Sequence, residues 1–166
     1  MYTESIDHAG LILAHQQLID IWQSSKEADA LPQRNAFDPG RLRMHLGFMS
    51  MAEIEADGDV RYRFAGSRLR RFFGGDSRGR RLSSLQNEAS TILGEGIAAA
   101  IYHQQPTHGE TDLGQALHVW LRLPLAANNA YRLVLCHDQF FEKSSAQTLK
   151  DPSLFELSNT DSFMAA

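Results

Sequence analysis

Leu117-His-Val-Trp-Leu-Arg-Leu-Pro-Leu125, joined across Ala127-Asn-Asn-Ala130 to Tyr131-Arg-Leu-Val-Leu-Cys-His-Asp-Gln-Phe-Phe141, is the stretch on which the fold turns. Both runs are rich in leucine, β-branched and aromatic side chains, and a polar turn separates them, so they are expected to form two strands. The link is too short for the crossover a parallel pair requires, so the pair is antiparallel. In the first run Leu117, Val119, Leu121 and Leu123 share one side and Trp120 lies on the other. Neither face is purely polar, and each therefore needs a cover. A two-residue turn at Asn128-Asn129 sets Leu121 opposite Cys136, whereas a loop one residue different sets it near Leu135 or His137. A slip of one residue exchanges the faces, so the sequence leaves the register open.

Working outward, a weaker strand is expected over Thr107 to Leu113, a strand over Leu46 to Glu55, and another over Val60 to Gly66. In the last of these, Val60, Tyr62 and Phe64 alternate with Arg61, Arg63 and Ala65, and Asp57-Gly58 supplies a hairpin turn before it. Ser67 caps a helical turn through Phe73, and Gly66 marks a sharp strand-to-helix corner. From Asn87, a candidate cap, the residues Ala89, Ile92, Leu93, Gly96, Ile97, Ala100 and Ile101 hold one apolar stripe for four turns, with Pro106 just beyond. Near the N-terminus, Leu11, Ala14, Leu18 and Ile21 or Trp22 recur at helical spacing within about Ile6 to Ser24. After a connection over Glu27 to Phe37, Asp38-Pro39 reads as a cap with proline at the first helical position, opening a short helix that ends near His45.

The order is two strands, short helices with one longer one, then three strands, which is α+β with an antiparallel sheet. The chain divides into an N-terminal amphipathic helix (1–26), one domain (27–143) and a C-terminal segment (144–166) rich in Ser, Thr, Asn and Asp that is either a flexible tail or docked on the domain. Short helices are expected over one sheet face. The first helix, or a partner chain, is expected over the other.

Composition excludes several classes. With 166 residues and 43% hydrophobic content the chain can bury a core without disulfides, and its one cysteine, Cys136, precludes an internal bridge or a cysteine-based zinc finger. The longest apolar runs, such as Ile97 to Ile101, fall far short of the ~18 residues that span a bilayer. A lone cysteine and acid at Glu4 and Asp7, where a secretory signal carries base, lead to the expectation of a cytoplasmic protein.

Leu31-Pro-Gln-Arg-Asn-Ala-Phe-Asp-Pro39 with Leu42 and Leu46, then Arg61-Tyr-Arg-Phe-Ala-Gly66-Ser-Arg-Leu69, Phe73-Gly-Gly-Asp76 and Gly79-Arg80, resembles a bacterial PAS-like family of small sensory domains. Leu121-Arg-Leu-Pro-Leu125, its turn and the strand after it resemble that family's C-terminal hairpin. The likeness spans about Trp22 to Cys136 in the family's order. It implies a PAS-like five-stranded antiparallel sheet with helices over one face, a cavity between them, and a sensory or interaction role. The sequence departs from the family's light-sensing members, for Cys136 is followed by His137 and Asp138 and not by a flavin-reactive motif.

Chemistry-bearing clusters are sparse. Arg61 to Arg81 holds eight arginines against Asp76 alone, a local +7 that leaves −11 for the rest. Pairing with the protein's own carboxylates explains this better than an anionic partner, and nucleic-acid recognition least of all. His103 stands where some PAS domains hold haem, but it points off the stripe of Ile97 and Ile101, so haem is not expected. His108-Gly-Glu110 lacks the paired cysteines of a zinc deaminase. His118 and His137 with Asp138 have no nucleophile in an elbow context and read as structural. No catalytic residue, metal site or defined cofactor is assigned.

The reading is a non-enzymatic regulatory domain that binds an unknown small molecule, a signalling protein, or both. Cavity candidates are Tyr62, Phe64, Leu69, Phe73, Ile97, Ile101, Leu121 and Leu123, with Arg63 as an anchor for an anionic group. Leu11, Leu18 and Trp22 are interface candidates for a homodimer, or else the intramolecular cover of the sheet. The alternatives are a small enzyme acting on an acidic metabolite and an interaction module with a solid core. Output is expected to pass through another protein.

Overall fold

The computed structural model describes residues 12–127 and 132–143. Its five strands are β1 (Met49–Ile54), β2 (Val60–Ala65), β3 (Thr107–Asp112), β4 (Ala116–Leu125) and β5 (Arg132–Glu142), ordered β2-β1-β5-β4-β3 with every pair antiparallel. Among the described residues four α-helices accompany them: α1 (Leu13–Ser24), α2 (Arg70–Phe73), α3 (Asn87–Gly94) and α4 (Ile97–His103). This is the PAS-like α+β arrangement.

The β4–β5 register pairs Leu121 with His137 and Arg122 with Cys136, which decides the faces. Leu121, Leu123, Leu125, Leu133 and Leu135 point to one side, where Leu18 and Trp22 of α1 pack on them. Val134 and Cys136 point to the other, against Leu69, Phe73, Leu93 and Ile97. Both expected covers are therefore present, and α1 belongs to the same chain as the sheet it covers. No side chain caps the start of α1. Its stability comes from Ala14, Leu18 and Trp22, each at most 2% exposed, with burial of a leucine contributing about 2–3 kcal/mol. Trp22 Nε1 also donates to the Pro124 carbonyl at 2.7 Å. The expected helical residues before Leu13 lie outside the described residues, apart from Ile12, which flanks the helix.

Four local expectations are corrected. The single helix from Asn87 to Ile101 is two, because Gly96 sits at φ +75° and a Cβ there would come within 2.2 Å of the Trp120 ring. Trp120 thus occupies the path that a continuous stripe would take. Asn87 itself is the first helical residue of α3, and the flanking residue is Gln86. The helix expected after Asp38-Pro39 is a run of turns: Asp38 Oδ1 accepts the Gly40 N–H at 3.0 Å, a local bond that competes with helix continuation. The strand expected from Leu46 begins at Met49, after a 3-10 turn over Leu46–Phe48.

A fifth difference, in strand register, bears on function. The β1–β2 register shifts between Met51 and Ala52, so that Met51 pairs with Phe64 while Ala52 pairs with Tyr62. This bulge reverses the alternation that Val60, Tyr62 and Phe64 show in sequence. Tyr62 packs on the helix side and Phe64 on the α1 side.

Candidate functional site

The helix face of the sheet carries three buried polar side chains at alternate or opposed positions. His118 and Arg122 stand two pleats apart on β4, on either side of Trp120, and Trp120 pairs with Asp138 of β5. Asp138 Oδ1 therefore reaches both neighbours diagonally, at 2.7 Å from His118 Nε2 and 2.7 Å from Arg122 Nη2. All three residues are fully buried. Burial works to raise the Asp138 carboxyl, but the Arg122 charge and the His118 hydrogen bond outweigh it and hold the group below its ordinary range. For Arg122, burial opposes the charge and Asp138 restores it, so the guanidinium stays protonated.

Arg122 also accounts for the break between α3 and α4. Its Nε donates to the Glu95 carbonyl at 2.8 Å and Nη2 to the Leu93 carbonyl at 3.4 Å, two acceptors freed where the helix stops. Thr107 Oγ1 donates to the Gly96 carbonyl at 3.0 Å. The joint is thus held by sheet side chains, with Trp120 lying across Gly96 as its stop.

Above the network, the Phe140 ring stacks on His118 with centroids 4.7 Å apart and planes 8° from parallel. Phe140 forms part of a cleft of about 870 Å³ between α2, α3 and the sheet, whose other walls include Phe72, Ala89, Arg71, Arg80 and Gln86. Arg71 lies over both Phe72 and Phe140. Buried polar atoms on this side with no hydrogen-bond partner among the described residues include His118 Nδ1, Asp138 Oδ2 and the Tyr62 hydroxyl. Burial raises the Tyr62 hydroxyl well above its usual range and pushes the Cys136 thiol up to about 11.

Residues 12–130, well over half of the chain, match the family described as PAS domain. The chain belongs to the PAS domain family. No match was found among curated proteins or among solved structures. PAS domains are in general non-enzymatic sensory or regulatory modules.

The residues singled out in the sequence do not converge on one cavity. Tyr62, Leu69, Phe73, Ile97 and Ile101 gather on the helix side, with Tyr62 and Phe73 edge to face at 5.0 Å. Leu121, Leu123 and Phe64 are on the opposite side. Of the whole set only Phe73 borders the 870 Å³ cleft. Arg63 is half-exposed and ion-paired with Glu53. Leu18 and Trp22 are buried against the chain's own sheet, and Leu11 lies outside the described residues, as does the 144–166 segment.

Arg61 pairs with Glu55 at 2.6 Å, and Arg81 pairs with Glu55, Asp57 and Asp59. Of the eight arginines in the basic run, Arg61, Arg63 and Arg81 are thus ion-paired to the protein's own carboxylates. His118 and His137 lie on adjacent strands but three register positions apart, His118 paired with Phe140 and His137 with Leu121, and they point to opposite faces. His103 is exposed at the end of α4. Among the described residues no group of three or more His, Cys, Asp or Glu is placed to hold a metal ion, and no helix is long and apolar enough to cross a membrane.

Arg122 was missed in sequence, and Asp138 was weighed there only as a partner of the two histidines. Their signal was a pair of opposite charges inside two runs of otherwise buried character, but pairing them needs the register, which the residues around Asn128-Asn129 do not reveal.

Proposed function

We propose that this PAS domain is a non-enzymatic cytoplasmic sensor in which a small molecule enters the cleft between α2, α3 and the sheet and alters the joint between α3 and α4, which a partner protein reads. The observation that carries this reading is the continuous path from cleft to joint: Phe140 on His118, His118 on Asp138, Asp138 on Arg122, and Arg122 on the Leu93 and Glu95 carbonyls. A ligand that displaces Phe140 would strain this chain of contacts and shift the balance between a broken and a straighter α3–α4 segment. Unsatisfied Asp138 Oδ2 and His118 Nδ1 are the polar atoms that a ligand or an ordered water would satisfy. A non-enzymatic role is supported by the full burial of His118 and by the spending of Arg122 on backbone carbonyls, which leaves neither free for a substrate. Buried free Cys136 is consistent with a reducing compartment.

Native mass spectrometry of the purified chain tests this, reporting bound small molecules and oligomeric state together. An adduct that denaturation releases is expected, and Gln86→Trp, which fills the cleft from an exposed wall, should abolish it. Retention of the adduct in that variant would place the ligand elsewhere. Hydrogen exchange at Glu95 to Ile97 should differ between the loaded and stripped protein; identical exchange would refute the coupling.

A further inference from the structure

The opposite face of the sheet holds a second concavity. Between β1, β2 and the 33–46 segment lies a pocket of about 670 Å³, separate from the cleft and on the α1 side. Its floor is Met49, Met51, Phe64 and Leu135, and Leu42 closes one side. Phe64 is present only because the bulge at Met51/Ala52 turns it away from Tyr62. α1 does not fill the space, for its Leu18 and Trp22 are spent alongside the leucines of β4 and β5. The walls are adaptable, since unbranched methionine side chains re-pack around irregular apolar shapes. The volume suits a small ligand, whose pockets run from roughly 300 to 1,000 Å³.

The rim indicates the head group. Gln33, Arg34 and Asn35 line it with N–H donors, and Arg34 is exposed with no ion pair among the described residues. The one acid there, Asp38, already accepts the Gly40 N–H. Arg34 is the one guanidinium of this rim and can hold a single carboxylate through paired N–H bonds, while the Asp38 charge nearby disfavours a group that carries a second negative charge. We propose that this pocket binds a free amphiphilic monocarboxylate, with its hydrocarbon part on Met49, Met51, Phe64 and Leu135 and its carboxylate on Arg34.

The test uses the full chain labelled with ¹³C at the methionine methyls, titrated with decanoate and with decanol below their aggregation limits. Decanoate should shift the Met49 and Met51 methyls saturably and leave exposed Met44 unmoved. Arg34→Gln, an exposed change that leaves the fold intact, should weaken decanoate roughly tenfold, the scale of one charge-assisted hydrogen bond, and leave decanol unaffected. Absence of saturation, equal shifts at Met44, or decanol binding as tightly as decanoate would each overturn the proposal. The cleft-filling Gln86→Trp should leave these shifts in place, so a failure here is separate from a failure of the sensor reading.

Discussion

On the helix face of the sheet the buried Arg122–Asp138 pair is charged and networked, whereas on the α1 face the central pair is neutral. Arg122 and Asp138 are both ionised at full burial because each satisfies the other and Arg122 finds backbone acceptors besides. Across the sheet, His15 Nε2 and His137 Nδ1 share one hydrogen bond at 2.9 Å beneath α1, with the His45 ring 6.0 Å from that of His137. Burial, reinforced by His45, holds His137 down to about 3, and burial with His137 holds His15 well below its usual value. The same depth of burial thus preserves charge where a counter-charge stands within hydrogen-bonding range and removes it where the neighbours are other imidazoles.

The largest effect should come from breaking the charged face on one side only. Asp138→Ala leaves Arg122 buried without its counter-charge and is expected to cost about 3–5 kcal/mol in urea unfolding. Arg122→Met with Asp138→Leu removes both charges and should cost far less; equal losses would mean that packing, and not charge, dominates that face. Next, Gly96→Ala forces a Cβ onto Trp120 at a left-handed position and should cost about 2 kcal/mol. A variant as stable as the parent would show that the α3–α4 joint relaxes freely.

The neutral face makes its own prediction in acid. Because His15 and His137 bind protons more weakly when folded, the unfolded chain takes up more protons as pH falls. Stability from these groups is therefore complete above about pH 6.5 and declines below it, by roughly 1 kcal/mol per pH unit for each histidine. Unfolding midpoints at pH 7 and pH 5 measure this, and His15→Leu with His137→Leu should flatten the difference; an unchanged slope would assign it to other groups. The smallest effect is kinetic: Cys136, buried and with its thiol pushed up to about 11, should resist a disulfide reagent at pH 8 until the protein unfolds. Prompt labelling of the native protein would mean that this face opens readily.

Strands, turns and the amphipathic α1 were legible because each follows from local periodicity: Leu18 and Trp22 share a helical face, and Val119 and Leu121 share a strand face, whatever surrounds them. Candidate site residues were less legible. Tyr62 and Phe64 look like neighbours on one face until a bulge separates them, and no local signal marks where one strand gains a residue on its partner. The stripe from Ala89 to Ile101 is helical in period throughout, and only Trp120, from a strand distant in sequence, explains why it breaks at Gly96.

The sequence by itself determined the class of fold, the antiparallel order and the need for a cover on both sides of the sheet, since these depend on spacing along the chain. Only the tertiary structure decided which polar groups meet: Asp138 reaches His118 and Arg122 through a register of one residue's tolerance, and Phe64 joins Met49 and Met51 through a single shift in pairing. Side-chain direction in a sheet reverses with every residue, so contacts that carry function hang on offsets that composition and periodicity do not encode.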